Sequence, residues 1–311
     1  MSQAKPPISY AVWRMFAESE RNILPGMHPI DTGYLSPLDT LPTLTPVLLE
    51  YPRPDVALIV LNRLDRMNAL GLELVVALKQ TLEKINCDNS VRVVVLTGVG
   101  RAFCTGADEE LAGKVPHEGL LPPADALRAL EMLDEVTWQL RLMHQPVIAA
   151  INGATHCGGM CLALAADIRV VADSAYFRAA GIRNGLTSSE LGLSYLLPRA
   201  IGSSRAFELM LTGRDVDAVE AERIGLASCR VADEDLLDHC LTMAGRIAGF
   251  SRIGTGLTKR ALWDYLDAAS VDGHVQTEDS GQRYSRLLTR RFDVAVAARA
   301  EKRLSVLTDC R

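Results

Sequence analysis

The sequence predicts an α/β fold, a mostly parallel sheet with helices packed over it, on three observations. Continuous apolar, β-branched runs of strand length recur from Val47 onward. Stretches with helical spacing alternate with them. The last third reads as one helical pattern after another. A chain of 311 residues that is 48% hydrophobic and 23% charged can bury a sizeable core, which excludes the disordered and fibrous classes.

Taken in order, residues 1–45 carry Pro6, Pro7, Pro25, Pro29, Pro37 and Pro42 with little periodicity. They read as an irregular arm, either a loose extension or one that embraces another subunit. The runs VLLEY, VALIVLN and VRVVVLTG, bounded by Pro, Asp and Gly, are strands. Between the second and third, the spacing of Leu72, Leu74, Val76, Leu78, Leu82 and Ile85 predicts a helix over 70–86. A second helix over 124–143 leads into the strand PVIAAIN, a glycine-rich turn, the apolar segment CLALAAD and the strand IRVVAD. Beyond Gly202 the segments SRAFELMLTG, DAVEAERIG, EDLLDHCLTMAGRIAG and GLTKRALWDYLDAAS are helical, with Gly213, Gly225 and Gly249 as stops. The expected division is an arm over 1–45, an α/β core over 46–200 and a helical region over 201–311.

Charge narrows the range of partners. With 33 Lys+Arg against 38 Asp+Glu the net charge is 33 − 38 = −5, and no basic patch interrupts it, so neither nucleic acid nor an anionic membrane surface is expected. The apolar runs fall far short of the ~18 residues that span a bilayer. Arg14, Glu18 and Glu20 break the N-terminal stretch in a way that fits neither a secretory nor a transit peptide, so the expected location is cytoplasmic. Seven cysteines without a CxxC pair read as reduced thiols, with no metal site or redox cofactor expected.

Two windows can carry chemistry. In Asn152–Asp167 a strand runs into Gly158 and Gly159, which open a helix. Amides at such a start are unpaired, point outward and can hold an oxyanion, while glycine lets a ligand approach the backbone. The same pattern also serves tight packing of a helix on a sheet. The glycines match neither a Walker loop nor a dinucleotide fingerprint. The second window, Gly100–Leu111, follows the strand VRVVVLTG, where α/β sheets place their sites, and Gly106 before Ala107 permits an exposed amide. An ordinary connecting loop has the same appearance.

Together with LNRLDRMNAL before them and LLPRAIGSSRAFELMLTGRDVDAVEAERIGLAS after them, these windows resemble the crotonase superfamily, the enoyl-CoA hydratase/isomerase family, over roughly Val47 to Lys259. The resemblance implies a spiral of repeated ββα units with a helical C-terminal region that assembles trimers or dimers of trimers. It implies an acyl-CoA thioester as substrate and no separate cofactor. The thioester oxygen would sit between the backbone amides of Ala107 and Gly158, each such donor contributing ~3 kcal/mol in the transition state. The stretch after Asn62 and Arg63 would line the CoA channel, Arg66 would approach the CoA phosphates, and Lys259 would reach CoA from the C-terminal region. Asp108, beside Ala107, falls in the same binding stretch; with Glu109 and Glu110 it reads as a solvated acidic helix start.

The departures from the family bear on the reaction. Hydratases of the family place two glutamates over the double bond, and the matching positions are Cys161 and Gly181, which cannot share acid and base work. Cys161 reads as a small buried residue, and His156 as a histidine satisfied by backbone. Glu190 matches the aspartate that dienoyl-CoA isomerases use as a base; as a residue alone it also reads as a helix-start carboxylate after Ser188 or Ser189. One base facing an enolate suits double-bond isomerisation. Hydration with Glu190 alone, or a silent acyl-CoA binder, are the other expectations.

Overall fold

The computed structural model describes residues 45–108, 123–268, 270–288 and 291–301. The N-terminal arm, Glu109 and Glu110 lie outside them. The chain opens with the hairpin β1 (Val47–Arg53) and β2 (Val56–Leu61), then a 3-10 turn over Leu64–Arg66 and helix α1 (Leu72–Cys87). Three strand–strand–helix turns follow. They are β3 (Val93–Gly98), β4 (Ala102–Cys104) and α2 (Pro123–Leu142); β5 (Val147–Ile151), β6 (Ala154–His156) and α3 (Gly158–Ala165); and β7 (Ile168–Ala172), β8 (Tyr176–Arg178) and α4 (Leu193–Ile201).

In each turn the first strand enters one sheet and the second another. The larger sheet has the order β1-β2-β3-β5-β7-β10, where β10 is Cys229–Val231, and only β1 pairs antiparallel. The smaller sheet runs β4-β6-β8-β9, where β9 is Asp215–Asp217 and pairs antiparallel with β8. This is the expected ββα spiral. β2, β3 and β5 are buried at every position, which is why their sequences show no alternation.

Two expectations need correction. The core does not stop at residue 200. After α5 (Ser203–Thr212), strand β9 completes the small sheet, α6 (Ala218–Arg223) follows, and β10 adds to the large one. Helix α7 (Leu236–Ala248) then packs across β2, β3, β5 and β7 and buries Leu236, Leu237, Cys240, Ala244 and Ala248. The helical extension begins only with α8 (Arg252–Asp267), α9 (Val271–Leu288) and α10 (Arg291–Ala300). The small sheet was also not anticipated as strands, because its members are three residues long, too short for a period of two to register. Among the described residues no helix is long and apolar enough to cross a membrane.

Candidate active site

The ends of β4 and β6 bring the two windows together. Past β4, Leu70 donates to the Gly106 carbonyl at 2.7 Å and accepts from the Asp108 amide at 3.3 Å. In this parallel bridge the groups flanking Ala107 face Leu70, so the Ala107 N–H points the other way, and Ala107 is exposed. Past β6, Gly158 is the first residue of α3, where an N–H has no partner within the helix. Among the described residues neither amide has a backbone acceptor.

Glycine makes this approach possible. A Cβ on Gly106, whose φ is 89°, would lie 2.6 Å from Cys157 Cβ and 3.1 Å from the Gly158 nitrogen. A Cβ on Gly159 would lie 1.9 Å from the Cys104 carbonyl oxygen, so that glycine is demanded by packing of helix on strand. Gly158 meets softer surroundings, the ends of Leu70 and Leu191 at 2.9 and 3.2 Å. Packing thus demands glycine at Gly159, whereas at Gly158 only the ends of side chains would have to give.

The Ala107 strap is braced by groups whose roles were not anticipated. Arg63 donates through Nη1 to Asp108 Oδ2 at 2.7 Å and to the Ala69 carbonyl at 2.7 Å. Asn68, fully buried, accepts from the Arg63 amide and donates to the Val99 and Ala102 carbonyls. Asp108 is therefore corrected from a solvated, CoA-facing carboxylate to a buried one, 4% exposed and ion-paired under the strap. Its partner is 45 residues distant in sequence, a separation no local pattern reveals.

Glu190 lies half-buried between the 3-10 turn Ala180–Asn184 and α4. Its backbone carbonyl accepts from the Leu193 amide at 2.7 Å, but α4 begins only after Gly192, so its side chain is not the helix cap. Desolvation raises its pKa above the ordinary carboxylate value, and a hydrogen bond from the Cys157 thiol works against that rise. Cys104, Cys157 and Cys161 all feel its charge, and burial drives each of these thiols up, Cys157 to about 11 and Cys104 to about 12. They are neutral thiols at physiological pH.

Neither position matching the hydratase glutamates carries a carboxylate, and at one of them none fits. Cys161 is fully buried and donates to the Cys157 and Glu190 carbonyls at 3.3 and 3.4 Å. A Cβ on Gly181 would lie 2.2 Å from the Thr187 carbonyl oxygen, so no glutamate fits there. His156 differs from expectation. Its Nε2 is buried without a hydrogen-bond partner among the described residues, its ring packs 5.1 Å from that of Tyr176, and burial lowers its pKa to about 4, so it is neutral.

The two cations named for CoA part company. Arg66 sits exposed at the end of the 3-10 turn after Asn62 and Arg63, 3.7 Å from Asp65. Lys259 is corrected: it is 5% exposed and its Nζ donates to the Leu140 and Gln145 carbonyls at 2.8 and 3.0 Å while pairing with Asp167 at 2.9 Å. Its ammonium faces the interior, at the end of α3 away from Gly158.

Beside Glu190 a cavity of about 350 Å³ opens among Thr137, Trp138, Ala165, Leu191 and Leu196. It begins at Leu191, the same side chain that borders Gly158, and reaches the Arg141–Asp267 ion pair (2.6 Å), where Trp138 and Trp263 flank the guanidinium at 4.9 and 4.8 Å.

A ββα spiral with two loop amides meeting at the strand ends defines the crotonase class of architecture. A family model for enoyl-CoA hydratase/isomerase matches residues 53–287. The chain is 63% identical over 268 residues to a probable enoyl-CoA hydratase of Mycobacterium tuberculosis, covering 86% of this chain and 94% of that protein. Among solved structures it is similar to a probable enoyl-CoA hydratase/isomerase from Mycobacterium abscessus, with 58% identity, a TM-score of 0.79, and coverage of 86% of this chain and 100% of that one. It is also similar to a monofunctional enoyl CoA isomerase from M. smegmatis, with 56% identity, a TM-score of 0.65, and coverage of 75% and 99%. The chain belongs to the enoyl-CoA hydratase/isomerase family and is an acyl-CoA enzyme of it.

Proposed function

We propose that the enzyme is an enoyl-CoA isomerase that moves a double bond from the β,γ to the α,β position of an acyl-CoA. The observation that carries this reading is Glu190. It is a half-buried carboxylate with a raised pKa beside the Gly158 turn, while the two hydratase positions hold a neutral thiol and a glycine that admits no side chain. In the proposed reaction the thioester oxygen accepts hydrogen bonds from the Ala107 and Gly158 amides. The Glu190 carboxylate takes a proton from the α carbon, and the electron pair of that C–H bond delocalises onto the thioester oxygen as a dienolate. Protonated Glu190 then returns the proton to the γ carbon as the thioester carbonyl re-forms, so no atom is gained or lost. Partial burial suits a group that must be ionised to start and protonated midway.

Around this centre, Arg66 on the exposed turn would meet the CoA phosphates, and the cavity beyond Leu191 would take the acyl tail. The exposed apolar side chains of α8–α10, among them Leu262, Tyr265, Leu287 and Phe292, support assembly into trimers or dimers of trimers. Hydration remains the second reading, favoured by the hydratase names of relatives at 63% identity. Ultraviolet absorbance of the conjugated enoyl thioester separates the readings. Isomerisation of a β,γ-enoyl-CoA creates the absorbance, hydration of an α,β-enoyl-CoA removes it, and a silent binder changes neither.

A further inference from the structure

The Ala107 amide is carried by a very short piece of structure. Leu70 and Ala107 form an isolated parallel bridge outside both sheets, closed by two backbone hydrogen bonds, from the Leu70 amide to the Gly106 carbonyl at 2.7 Å and from the Asp108 amide to the Leu70 carbonyl at 3.3 Å. Even a whole hairpin standing alone is only marginally stable in water, and a single rung is weaker still. A direction for the Ala107 N–H therefore needs more than this bridge to fix it.

One guanidinium nitrogen spans it. Arg63 Nη1 donates to the Ala69 carbonyl, next to Leu70 on one side of the bridge, and to Asp108 Oδ2, next to Ala107 on the other, at 2.7 Å each. Both N–H groups of that nitrogen are thereby used. The guanidinium lies against Gly71, where a Cβ would come within 2.6 Å of Nη1, so the missing side chain gives it room. The Arg63 side chain is 20% exposed and that of Asp108 5%, surroundings in which a charge-assisted hydrogen bond is stronger than in water. Arg63 is itself anchored. Its amide donates to Asn68 Oδ1 at 2.9 Å, and Asn68, at φ 57°, donates in turn to the carbonyls of Val99 after β3 and Ala102 at the start of β4, at 3.0 and 2.7 Å. We propose that Arg63 and Asp108 are the positioning pair of the oxyanion site, their ion pair clamping the Leu70–Ala107 bridge so that the Ala107 N–H keeps its aim. This rests on the reading that the Ala107 amide donates to the thioester oxygen. Such a donor stabilises the developing oxyanion only while it is held in place beforehand, so a loosened strap weakens it without removing it.

Infrared difference spectroscopy of bound octanoyl-CoA separates this role from a merely structural one, because the stretching frequency of the thioester carbonyl reports the hydrogen bonds that its oxygen accepts. In the parent enzyme the frequency should fall below that of free octanoyl-CoA. In Asp108→Ala, which removes the carboxylate and leaves Arg63 on the Ala69 carbonyl, it should return part of the way, with the Gly158 amide still donating. For the same variant kcat should fall by about tenfold or more, short of the ~10²–10³-fold that deletion of an oxyanion donor costs, while KM changes within about twofold. Asp108→Asn keeps an oxygen that accepts from Nη1 and should recover most of the rate and of the carbonyl shift. Should Asp108→Ala not fold, Arg63→Lys, which keeps the charge on a shorter side chain without the fork, carries the same expectation for the carbonyl and kcat. A folded Asp108→Ala or Arg63→Lys with parental kcat and a parental carbonyl frequency overturns the proposal. The parent spectrum tells the two claims apart. If its carbonyl is shifted and both variants retain the shift, only the positioning role fails; if its carbonyl absorbs where free octanoyl-CoA does, the oxyanion reading fails and takes the positioning role with it.

Discussion

Gly158 and Gly159 are adjacent and identical in type, yet the space around each assigns it a different task. A Cβ on Gly159 would enter the Cys104 carbonyl, which is backbone and cannot yield, whereas one on Gly158 would press on the ends of two leucine side chains. Gly159→Ala should therefore cost stability, at least ~1–3 kcal/mol as an overpacked position, visible as an earlier denaturant midpoint. Gly158→Val should fold but lose on the order of a hundredfold to a thousandfold in kcat, because the side chain holds the thioester away from the amide. Equal stability losses in both variants, with the kinetic loss confined to neither, would remove the distinction. Sequence pattern marked this glycine pair but mistook Asp108. The reason is that its charge pairing with Arg63, 45 residues away, is a property of three-dimensional proximity.

At the scale of the elements, long buried strands announce themselves and three-residue strands do not, so the large sheet was legible except for β10 and the small one was not. Lys259 shows the corresponding limit for helices. The α8 pattern placed it on a helix, but only packing shows that its ammonium ties α8 to the end of α2 and the start of β7 through Leu140, Gln145 and Asp167. Trp263 one turn further on donates to the other oxygen of Asp167 at 2.6 Å, so the same carboxylate serves both residues. Lys259→Met leaves the half-buried Asp167 without its cation, though the Val147 amide and Trp263 still donate to it, and the expected loss is ~1–3 kcal/mol of stability. Calorimetry should show the lowered unfolding temperature, while KM for the acyl-CoA of the folded variant stays within about twofold. A large rise in KM with stability unchanged would restore Lys259 to the CoA site.

For the whole molecule, the α8–α10 extension contrasts with the core that it follows. Its sole buried residue in α8 is Lys259, and Leu262, Tyr265, Val271, Tyr284 and Leu287 are each more than 60% exposed. Apolar surface on this scale is what the proposed assembly would cover. Sedimentation of the purified enzyme should give three or six copies per particle; a monomer across the micromolar range would contradict that assembly. In the proposed reaction the chemistry of the whole rests on one proton moved by Glu190 against an enolate held by two amides. The most direct measurement is exchange of the α-proton of a β,γ-enoyl-CoA in deuterated water, followed with parent enzyme and Glu190→Gln. The account predicts exchange and isomerisation by the parent, and at least a hundredfold slower exchange by the Gln variant with nearly unchanged affinity for a saturated acyl-CoA, on the order expected for loss of a general base. Exchange by Glu190→Gln at the parental rate, or a parent that exchanges no α-proton and only hydrates conjugated enoyl-CoA, would contradict it.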